Sequence, residues 1–532
     1  MAELLSSTPE KGKTQFKFDL KRAARRPLPE LLQLFAQAGY SLSPTLQKAI
    51  LKLQGASRFA ELLLRETDLI LKPTGFLDLE GIKALLTYDA AERAFHARPL
   101  DFYTVQGFLE NKGYLIVSHV RQTFEMPPEL RGTLRLEMVL RDYQEEALRR
   151  WFGAKCRGVV VLPTGSGKTI VALEAIRRLG LTTLVVVPTI DLLSQWRDAL
   201  KGSLNVTEVG ILGGGSKSVS PITVSTYDSA SLRAAELADT FGLLVFDEVH
   251  HLPSPNYRLA AEVSIAPNRL GLTATPERYD ELHHDLDRLV GPVVYRIAPR
   301  TLERGGYLAP YRIQTIQVNL TSEEQVEYEA HMAVFREYAQ KLAQAEPGWD
   351  FNSLVEHAFF DRAARDALSN LEKARRIALE ASGKTDYVEK LLAEYRDAKV
   401  IIFSRYTRIV EKISDLLGIP LITHKTKAAE RERILTNFKQ GKYTKIVTGQ
   451  VLDEGVDVPD ASVGIIISGS GSQRQFVQRL GRLLRPQKQE AILVELVTSG
   501  TIEDGLAQRR RPEETGNGVS SARRKDEGKE PD

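Results

Sequence analysis

Short apolar runs alternate with longer amphipathic stretches between about residues 136 and 298. A short apolar run bounded by turn residues is typical of a buried strand, and apolar residues spaced three and four apart are typical of a helix. The strands predicted here are residues 159–162, 184–187, 222–225, 243–246 and 269–272. Strands that alternate with helices in this way form a doubly wound parallel sheet, so the pattern predicts an α/β fold.

The same alternation begins again near Lys399. The predicted strands of this second series are residues 400–403, 421–423, 445–448, 464–467 and 492–497. Residues 321–382, which lie between the two series, have charged faces and few breakers, and we expect them to be almost wholly helical. The chain is therefore expected to contain two parallel-sheet domains.

The two ends of the chain have different patterns. Residues 1–15 are polar and expected to be disordered, whereas apolar residues recur at helical spacing over residues 28–71. Residues 86–120 have a mixed hydrophobic pattern and include several aromatic residues. Pro127-Pro128 marks a linker. The chain from Arg509 is charged and poor in apolar residues, which predicts a disordered tail; its basic clusters could touch nucleic acid, but a solvated tail is the favoured interpretation.

Composition narrows the class of protein. A length of 532 residues suggests about three to four domains. Lys and Arg number 72 against 69 Asp and Glu, a net charge of +3, so any nucleic-acid-binding surface must be local. Cys156 is the single cysteine, which excludes an internal disulfide and fits a cytoplasmic protein. No apolar run approaches the ~18 residues of a membrane span, and no signal peptide is evident.

A glycine-rich turn follows the first predicted strand, in the sequence Leu-Pro-Thr-Gly-Ser-Gly-Lys-Thr at residues 162–169. Its glycines let backbone N–H groups point at phosphates, and a helix N-terminus adds its dipole. Lys168 can reach the β- and γ-phosphates of ATP, and the Thr169 hydroxyl can hold Mg²⁺. The ATP-binding residues predicted in this loop are Pro163, Thr164, Gly165, Ser166, Gly167, Lys168 and Thr169. A chance glycine turn is the alternative for the loop taken alone.

Two further elements fit this chemistry. Asp247 and Glu248 end an apolar strand, where the aspartate can hold Mg²⁺ and the glutamate can polarise the attacking water. Arg141 and Gln144 lie upstream of the loop, and a glutamine amide matches the donor and acceptor of an adenine edge. Ordinary helix starts are the alternative in both places.

The remaining candidates end later strands. Thr273 and Thr275 could relay between the phosphate site and a neighbouring surface. Arg482 and Arg485 are three apart, share a helical face and suit γ-phosphate contact, although a basic surface helix is the alternative. A loop with Gly455 and Asp457 could reach the ribose. His283 and His284 should point apart on a helix, so no metal other than Mg²⁺ is expected.

In this order, the motifs resemble those of the superfamily-two helicases and translocases. The similar segments are Gln144, the phosphate loop, residues 188–196, residues 223–227, Asp247 to His250, Thr273 to Thr275, Ser404-Arg405, residues 454–459 and the box from Gln478 to Arg485. Within that superfamily the chain is similar to the XPB type, on Asp-Glu-Val-His-His-Leu-Pro, Gly-Leu-Thr-Ala-Thr-Pro-Glu-Arg and Lys373-Ala-Arg-Arg-Ile-Ala-Leu-Glu, which resembles the end of a helical thumb.

The resemblance implies roles for further residues. His250, with Thr273, Thr275 and Gln478, would connect ATP hydrolysis to DNA binding. The DNA-contacting residues implied are Thr226, Arg278, Tyr279, Asp280 and Arg405. The family's Arg-Glu-Asp element, which is linked to strand separation, reads Arg278-Tyr279-Asp280 here, and this departure makes unwinding less certain than ATP-driven movement.

The resemblance also implies an organisation and a function. The expected parts are an N-terminal helical region (1–80), an accessory domain like a damage-recognition domain (81–130), two RecA-like motor domains (135–300 and 301–505) with a thumb at 321–382, and a charged tail (509–532). ATP would bind with Mg²⁺ between the motor domains, and DNA junctions would be bound mostly through phosphates. The expected function is ATP-dependent DNA translocation or unwinding in repair. Alternatives are a duplex remodeller that separates no strands, an ATP-switched scaffold that recruits a nuclease or transcription machinery, and an RNA helicase.

Overall fold

The structure, a computed structural model, describes most of the chain. The described residues are 5–10, 13–18, 20–37, 42–55, 58–74, 77–278, 280–346, 348–449, 461–469 and 490–510. The chain divides into two compact units, residues 1–298 and 299–532. Among the described helices, none is both long and apolar enough to cross a membrane.

The N-terminal segment contains a strand pair, β1 (Leu5–Glu10) and β2 (Lys13–Phe18), which are antiparallel. The prediction of disorder over residues 1–15 is therefore wrong for the part that the structure describes. Polarity alone does not exclude strands, because pairing two segments satisfies their backbone N–H and C=O groups whatever their side chains are.

Three helices follow and then a five-stranded sheet. The helices are α1 (Leu20–Ala23), α2 (Leu28–Gln37) and α3 (Pro44–Leu53). The strands are β3 (Phe59–Arg65), β4 (Asp68–Pro73), β5 (Thr87–Asp89), β6 (Ala94–Ala97) and β7 (Leu115–Ser118), in the order β5-β6-β4-β3-β7. Helix α4 (Phe102–Asn111) buries Phe102, Val105 and Leu109 in the same core as residues of β3 and β4.

The helical prediction for residues 59–71 is wrong, because β3 and β4 form a hairpin there. The runs Leu62-Leu63-Leu64 and Leu69-Ile70-Leu71 flank a tight turn in which Glu66 has a φ of 51°. A short apolar run fits a buried strand as well as a helix, and only pairing with β6 and β7 distinguishes the two. The accessory sheet thus begins at Phe59, before the predicted boundary at residue 81.

A large sheet forms the rest of the first unit. Its strands are β8 (Arg157–Val161), β9 (Thr183–Val187), β10 (Gly210–Gly213), β11 (Ser216–Ser218), β12 (Ile222–Thr226), β13 (Leu243–Asp247), β14 (Asn268–Thr273) and β15 (Val293–Arg296), in the order β11-β10-β12-β9-β13-β14-β8-β15. All pairs except β10–β11 are parallel. All five predicted strands of this region are confirmed.

Helices flank this sheet. They are α5 (Pro128–Thr133), α6 (Asp142–Gly153), α7 (Lys168–Leu179), α8 (Ile190–Leu204), α9 (Tyr227–Leu232), α10 (Ala234–Leu237), α11 (Leu259–Glu262) and α12 (Leu286–Leu289). The central strands β9, β12 and β13 are buried along their whole length, as expected for a parallel sheet that is covered on both faces.

The second unit has its own parallel sheet. Its strands are β16 (Tyr311–Val318), β17 (Val400–Ser404), β18 (Leu421–Ile422), β19 (Lys445–Thr448), β20 (Val463–Ser468) and β21 (Ala491–Thr498), in the order β16-β21-β20-β17-β19-β18. The five strands predicted from residue 399 onward are confirmed, and β16 was not predicted. The described helices that pack here include α13 (Pro299–Arg304), α17 (Gly383–Glu394), α18 (Thr407–Leu417), α19 (Ala428–Lys439) and α20 (Ile502–Arg510).

A helical insertion separates β16 from the later strands of this sheet. It consists of α14 (Ser322–Ala345), α15 (Phe351–Phe360) and α16 (Arg362–Leu379), which confirms the helical prediction for this region. Helices α14 and α16 pack together around Tyr328, Met332 and Leu371, and Ile502 of α20 joins that apolar cluster. The predicted tail lies outside the described residues apart from Arg509 and Arg510, which end α20.

Candidate functional site

Three predicted motifs meet at one edge of the first sheet. Strand β14 lies between β8 and β13, with Thr273 opposite Val161 and Leu272 opposite Asp247. The Leu162 N–H donates to the Thr273 carbonyl at 3.0 Å, so the start of the phosphate loop is fixed to the end of β14. The carboxyl edge of a parallel sheet is where such folds bind ligands, and these are the strands that carry the loop, the carboxylates and the threonines.

The phosphate loop has the backbone that the sequence predicts. Gly165 and Gly167 have φ values of 81° and 82°, in the left-handed region that favours glycine. The Ser166 hydroxyl donates to the Pro163 carbonyl at 2.6 Å and closes the turn. Lys168 is the first residue of α7, and its Nζ is 3.4 Å from the Leu162 carbonyl, a weak contact that a phosphate could replace.

Two side chains of α6 donate hydrogen bonds to the backbone of this loop. The Gln144 amide donates to the carbonyls of Ser166 at 3.0 Å and Gly167 at 3.4 Å, while its oxygen accepts from the Arg141 N–H at 2.9 Å. The Tyr143 hydroxyl donates to the Ser166 carbonyl at 2.5 Å. Gln144 is therefore a support of the loop in this structure, and contact with adenine stays a prediction. The role of Tyr143 was not predicted.

Asp247 is held in one orientation by its neighbours. The Trp196 indole N–H donates to Asp247 Oδ2 at 2.8 Å, and the Glu248 N–H donates to Oδ1 at 3.0 Å. The Tyr227 hydroxyl donates to the Asp247 carbonyl at 3.0 Å. Burial and the charges of Asp247 and Glu248 raise the pKa of Tyr227 well above its ordinary value, so it stays a neutral donor. Neither the Trp196 nor the Tyr227 contact with Asp247 was predicted, although both residues end segments that resemble those of the superfamily.

Glu248 and His250 connect the carboxylate end of β13 to the end of β14. Glu248 has a φ of 47°, an uncommon conformation for a residue other than glycine and one that is often found at functional sites. His250 is fully buried, and its Nδ1 is 3.0 Å from the Thr273 hydroxyl and 3.5 Å from Glu248 Oε2. The Thr273 hydroxyl in turn donates to the Thr275 carbonyl at 3.1 Å. This continuous set of contacts runs from the Glu248 carboxylate to the loop after β14.

That loop continues into the predicted DNA-contacting element. The Arg278 guanidinium donates to both oxygens of Asp280, at 2.8 and 2.5 Å, and to the His250 carbonyl at 2.7 Å. The Arg278 guanidinium holds the pKa of the Asp280 carboxyl below its ordinary value. Tyr279 lies outside the described residues. The element is thus fastened to the His250 segment rather than extended toward solvent.

The other predicted DNA contacts have different surroundings. Thr226 is buried and caps α9, with its hydroxyl accepting from the Ser229 N–H at 3.3 Å. Arg405 is exposed after β17, and its backbone N–H donates to the Ser468 carbonyl at 3.2 Å. The predicted residues Gly455, Asp457, Gln478, Arg482 and Arg485 lie outside the described residues, so their roles stay predictions.

Histidine side chains could in principle contribute metal ligands. His283 and His284 do not point apart as predicted, because they lie in a tight 3₁₀ turn with ring centroids 4.3 Å apart. Within the described ranges, one group of possible ligands is found, formed by Asp89, Glu92 and His96 of the accessory sheet.

The first unit fits ATP and Mg²⁺ by its donor set. The loop offers backbone N–H groups at the start of α7, a lysine and a threonine hydroxyl, and Thr164 Oγ1 is buried without a partner in the described part of the chain. A methyl group on Gly167 would lie 2.6 Å from the Gln144 amide, so the cradle has no room for a side chain there. Asp247 supplies an oriented carboxylate, which is a ligand that Mg²⁺ prefers. The fold and site define a RecA-like nucleotide-binding domain, and the second parallel sheet is the other RecA-like domain of the chain.

Comparison with known proteins narrows the class. Residues 137–278 match the family of the type III restriction enzyme res subunit, and residues 372–513 match the ERCC3/RAD25/XPB C-terminal helicase family. The DNA 3'-5' translocase XPB2 of Sulfurisphaera tokodaii is 42% identical over 423 residues, which are 79% of this chain and 94% of that protein. The DNA 3'-5' helicase XPB of Mycobacterium tuberculosis is 33% identical over 65% of this chain and 58% of its own length. The chain therefore belongs to the XPB-type family of superfamily-two helicases.

Proposed function

We propose that this protein is an ATP-dependent DNA translocase and helicase. The observation that carries the proposal is the set of contacts from Asp247 and Glu248 to His250, and from His250 both to Thr273 and to Arg278. A hydrolase that only consumed ATP would need the loop and the carboxylates. The additional connection to a strand-end loop is what a motor requires in order to transmit hydrolysis to a second ligand.

The loop residues bind and orient the triphosphate. The backbone N–H groups at the start of α7 and the Lys168 ammonium bind the phosphates, and Gln144 keeps the loop in its binding conformation. Thr169 and Asp247 would hold Mg²⁺, which when bound neutralises charge on the phosphates. Glu248 orients the attacking water, and its left-handed backbone directs its side chain back toward His250.

The nucleic-acid partner is DNA, because the relatives described above are a DNA translocase and a DNA helicase. We propose 3'-5' movement on the same basis, and contacts made mainly to phosphates, so that binding depends little on sequence. The same proposal includes a role in DNA repair, with a nuclease or repair protein as partner. It also includes Arg482 and Arg485 as groups that complete the ATP site.

The phosphate loop provides the decisive test. Lys168→Ala should lower ATP turnover by about a hundredfold or more while the fold persists, because the substitution removes the positive charge that contacts the phosphates. Turnover is measured without nucleic acid and with single-stranded, duplex and forked DNA and matched RNA, together with a thermal melt. Lys201→Ala, on the exposed face of α8, is the control for loss of a lysine. A folded Lys168→Ala protein with normal turnover would exclude the proposed ATP site.

A duplex translocase that separates no strands is a second candidate. It is favoured by the pairing of Arg278 with Asp280, which leaves the charges of the altered element satisfied by each other. Strand displacement from a 3'-tailed fork measures unwinding, and displacement of a third strand from a triplex measures movement along intact duplex. Triplex displacement without fork unwinding would establish the second candidate, and neither activity in an ATPase-competent protein would contradict both.

A further inference from the structure

A fully buried ion pair lies in the second unit of the chain. The Lys384 ammonium contacts Glu503 Oε2 at 2.6 Å, and neither side chain is exposed. Lys384 also donates to the carbonyls of Ile467 at 2.8 Å and Leu379 at 3.4 Å. The ammonium thus has three acceptors, which come from three different elements.

Those three elements have distinct places in the chain. Leu379 is the last residue of α16 and therefore of the helical insertion, whose C-terminal dipole favours a cation. Ile467 is the next-to-last residue of β20, the strand that precedes the segment with Arg482 and Arg485 in the chain. Glu503 lies in the first turn of α20. Lys384 therefore joins the insertion to a strand end that precedes the predicted arginine box.

The neighbouring contacts make the same connection. Glu503 Oε2 also accepts from the Thr498 N–H at 2.8 Å, at the end of β21. The Thr498 hydroxyl donates to the Ala378 carbonyl of α16 at 2.6 Å. At the other side of the insertion, the Ile502 N–H donates to the Tyr328 hydroxyl of α14 at 2.9 Å. Movement of α14 or α16 would therefore be transmitted to the ends of β20 and β21.

Stability alone does not explain a charge pair at this position. Removing two charges from water costs more than their attraction commonly returns, and apolar residues of similar size often give equal or greater stability. What the pair adds is directional: each of its hydrogen bonds fixes one element relative to another. A buried network of this kind specifies one arrangement of the parts it joins.

We propose that Lys384 and Glu503 are positioning residues that transmit the position of the helical insertion to the end of β20, and thereby make ATP turnover respond to DNA. The proposal rests on the proposed DNA-dependent ATPase activity. It assigns to the pair neither contact with ATP nor contact with DNA.

The test separates transmission from folding. In the double variant Lys384→Met/Glu503→Gln, the glutamine oxygen can still accept from the Thr498 N–H, while the charges and the bonds to Ile467 and Leu379 are lost. We expect the stimulation of turnover by forked DNA to fall about tenfold. Turnover without DNA, and the dissociation constant for fluorescent forked DNA, should stay within about twofold of wild type.

A matched control is available in the same sheet. Lys445 starts β19 and donates to the carbonyls of Tyr395, Arg396 and Ala398, at 2.8, 2.9 and 2.5 Å, and none of these three acceptors belongs to the insertion. Lys445→Met removes a comparable three-acceptor ammonium at the opposite end of the strands. It should lower the melting temperature without reducing DNA stimulation.

Thr498→Val is the second variant, used if the double variant does not fold. It removes only the bond to the Ala378 carbonyl and introduces no unpaired charge. It should reduce DNA stimulation about threefold. Normal stimulation in a folded double variant, or in Thr498→Val when the double variant is unfolded, would overturn the inference. A proportional loss of stability and of every activity would show a purely structural role and overturn it too. Absence of DNA stimulation in the wild type would instead contradict the proposed function.

Discussion

Single side chains from other elements orient the Asp247 carboxylate and the phosphate loop. Trp196 lies 51 residues before Asp247 in the chain but donates to its carboxylate, and Tyr143 and Gln144 donate to the loop. A carboxylate held by an indole N–H has one oxygen engaged and a restricted rotation. Groups held in this way are oriented before the ligand arrives, which lowers the cost of binding and of reaching the transition state.

Substitution Trp196→Phe tests this orientation. It keeps an aromatic ring but removes the bond to Asp247, and hydrogen bonds to charged groups contribute about 1.5–3 kcal/mol, so we expect about a tenfold fall in maximal ATP turnover. The Mg²⁺ concentration needed for half-maximal turnover should rise. Turnover is measured over a Mg²⁺ titration at saturating ATP.

The matched control is Trp151→Phe, which removes a buried indole bond of 2.9 Å to the Arg269 carbonyl outside the site. Both variants should lose similar stability in a thermal melt. If Trp151→Phe lowered turnover as much as Trp196→Phe, the effect would be one of general packing and not of carboxylate orientation.

Glycine 167 provides the second test at this scale. In Gly167→Ala the new methyl group would meet the Gln144 amide at 2.6 Å and would require a φ of 82°. Nucleotide affinity should therefore fall about tenfold or more, measured with a fluorescent ATP analogue. Gly153→Ala at the end of α6, where nothing lies within 4 Å of the new methyl, should leave affinity unchanged. Wild-type affinity in Gly167→Ala would mean that the loop adopts another conformation when nucleotide binds.

At the scale of elements, strands buried on both faces could be predicted because each is a continuous apolar run. The strands predicted at 184–187 and 243–246 correspond to β9 and β13, which differ from those ranges by one residue at an end. The helix predicted at 59–71 is wrong, because the leucine runs of β3 and β4 carry the same local information as a buried helix. Strand pairing decides such cases, and pairing partners are distant in the chain.

The candidate site shows the same division. The phosphate loop could be predicted because its glycines, lysine and threonine act within one turn and one helix start. The contact from Trp196 to Asp247, and that from Arg278 to the His250 carbonyl, could not be predicted, since each joins residues from separate parts of the chain. The resemblance implied a DNA contact for Thr226, and the cap that its hydroxyl gives α9 was not predicted; the DNA contact stays a prediction.

The segment from Thr273 to Asp280 yields a prediction with a pH dependence. Asp280→Asn breaks the bidentate pair with Arg278, so DNA-stimulated turnover should change while the cost in stability stays below about 1 kcal/mol. Because Arg278 holds the pKa of Asp280 below its ordinary 3.8, the stabilisation is complete above that value and is lost as the pH falls through the lower folded pKa.

The difference in free energy of unfolding between wild type and Asp280→Asn should thus be constant from neutral pH to about pH 5 and shrink only below it. Denaturant titrations across this range provide the measurement. Asp78→Asn, which breaks the exposed pair with Lys112 in the accessory region, is the control and should leave DNA-stimulated turnover unchanged. A difference that disappeared between pH 7 and 6 would contradict the assignment to Asp280.

At the scale of the whole molecule, the two units differ in what they contribute. The first contains the loop, the carboxylates and the His250 contacts, and the second contains a parallel sheet with a helical insertion and the Lys384–Glu503 pair. The net charge of +3 on 532 residues provides no general attraction to DNA. DNA binding must therefore depend on local basic surfaces. ATP turnover is expected to depend on residues that lie far apart in the chain.

Substitution of Arg482 tests whether the second unit contributes a residue to ATP hydrolysis. Arg482 lies outside the described residues, and its role is inferred from the shared helical face with Arg485 and from the family to which the chain belongs. Arg482→Ala should lower maximal DNA-stimulated turnover about a hundredfold or more and raise the dissociation constant for ATP only a few fold, because a guanidinium on the γ-phosphate acts mainly on transition-state charge. Steady-state kinetics and direct ATP binding separate these effects. Arg433→Ala, on α19 and paired with Glu430 at 3.7 Å, is the control for loss of an arginine in the same unit and should leave both quantities unchanged. A variant at Arg482 that lost ATP affinity but kept its maximal rate would show that this arginine binds the nucleotide without taking part in its hydrolysis.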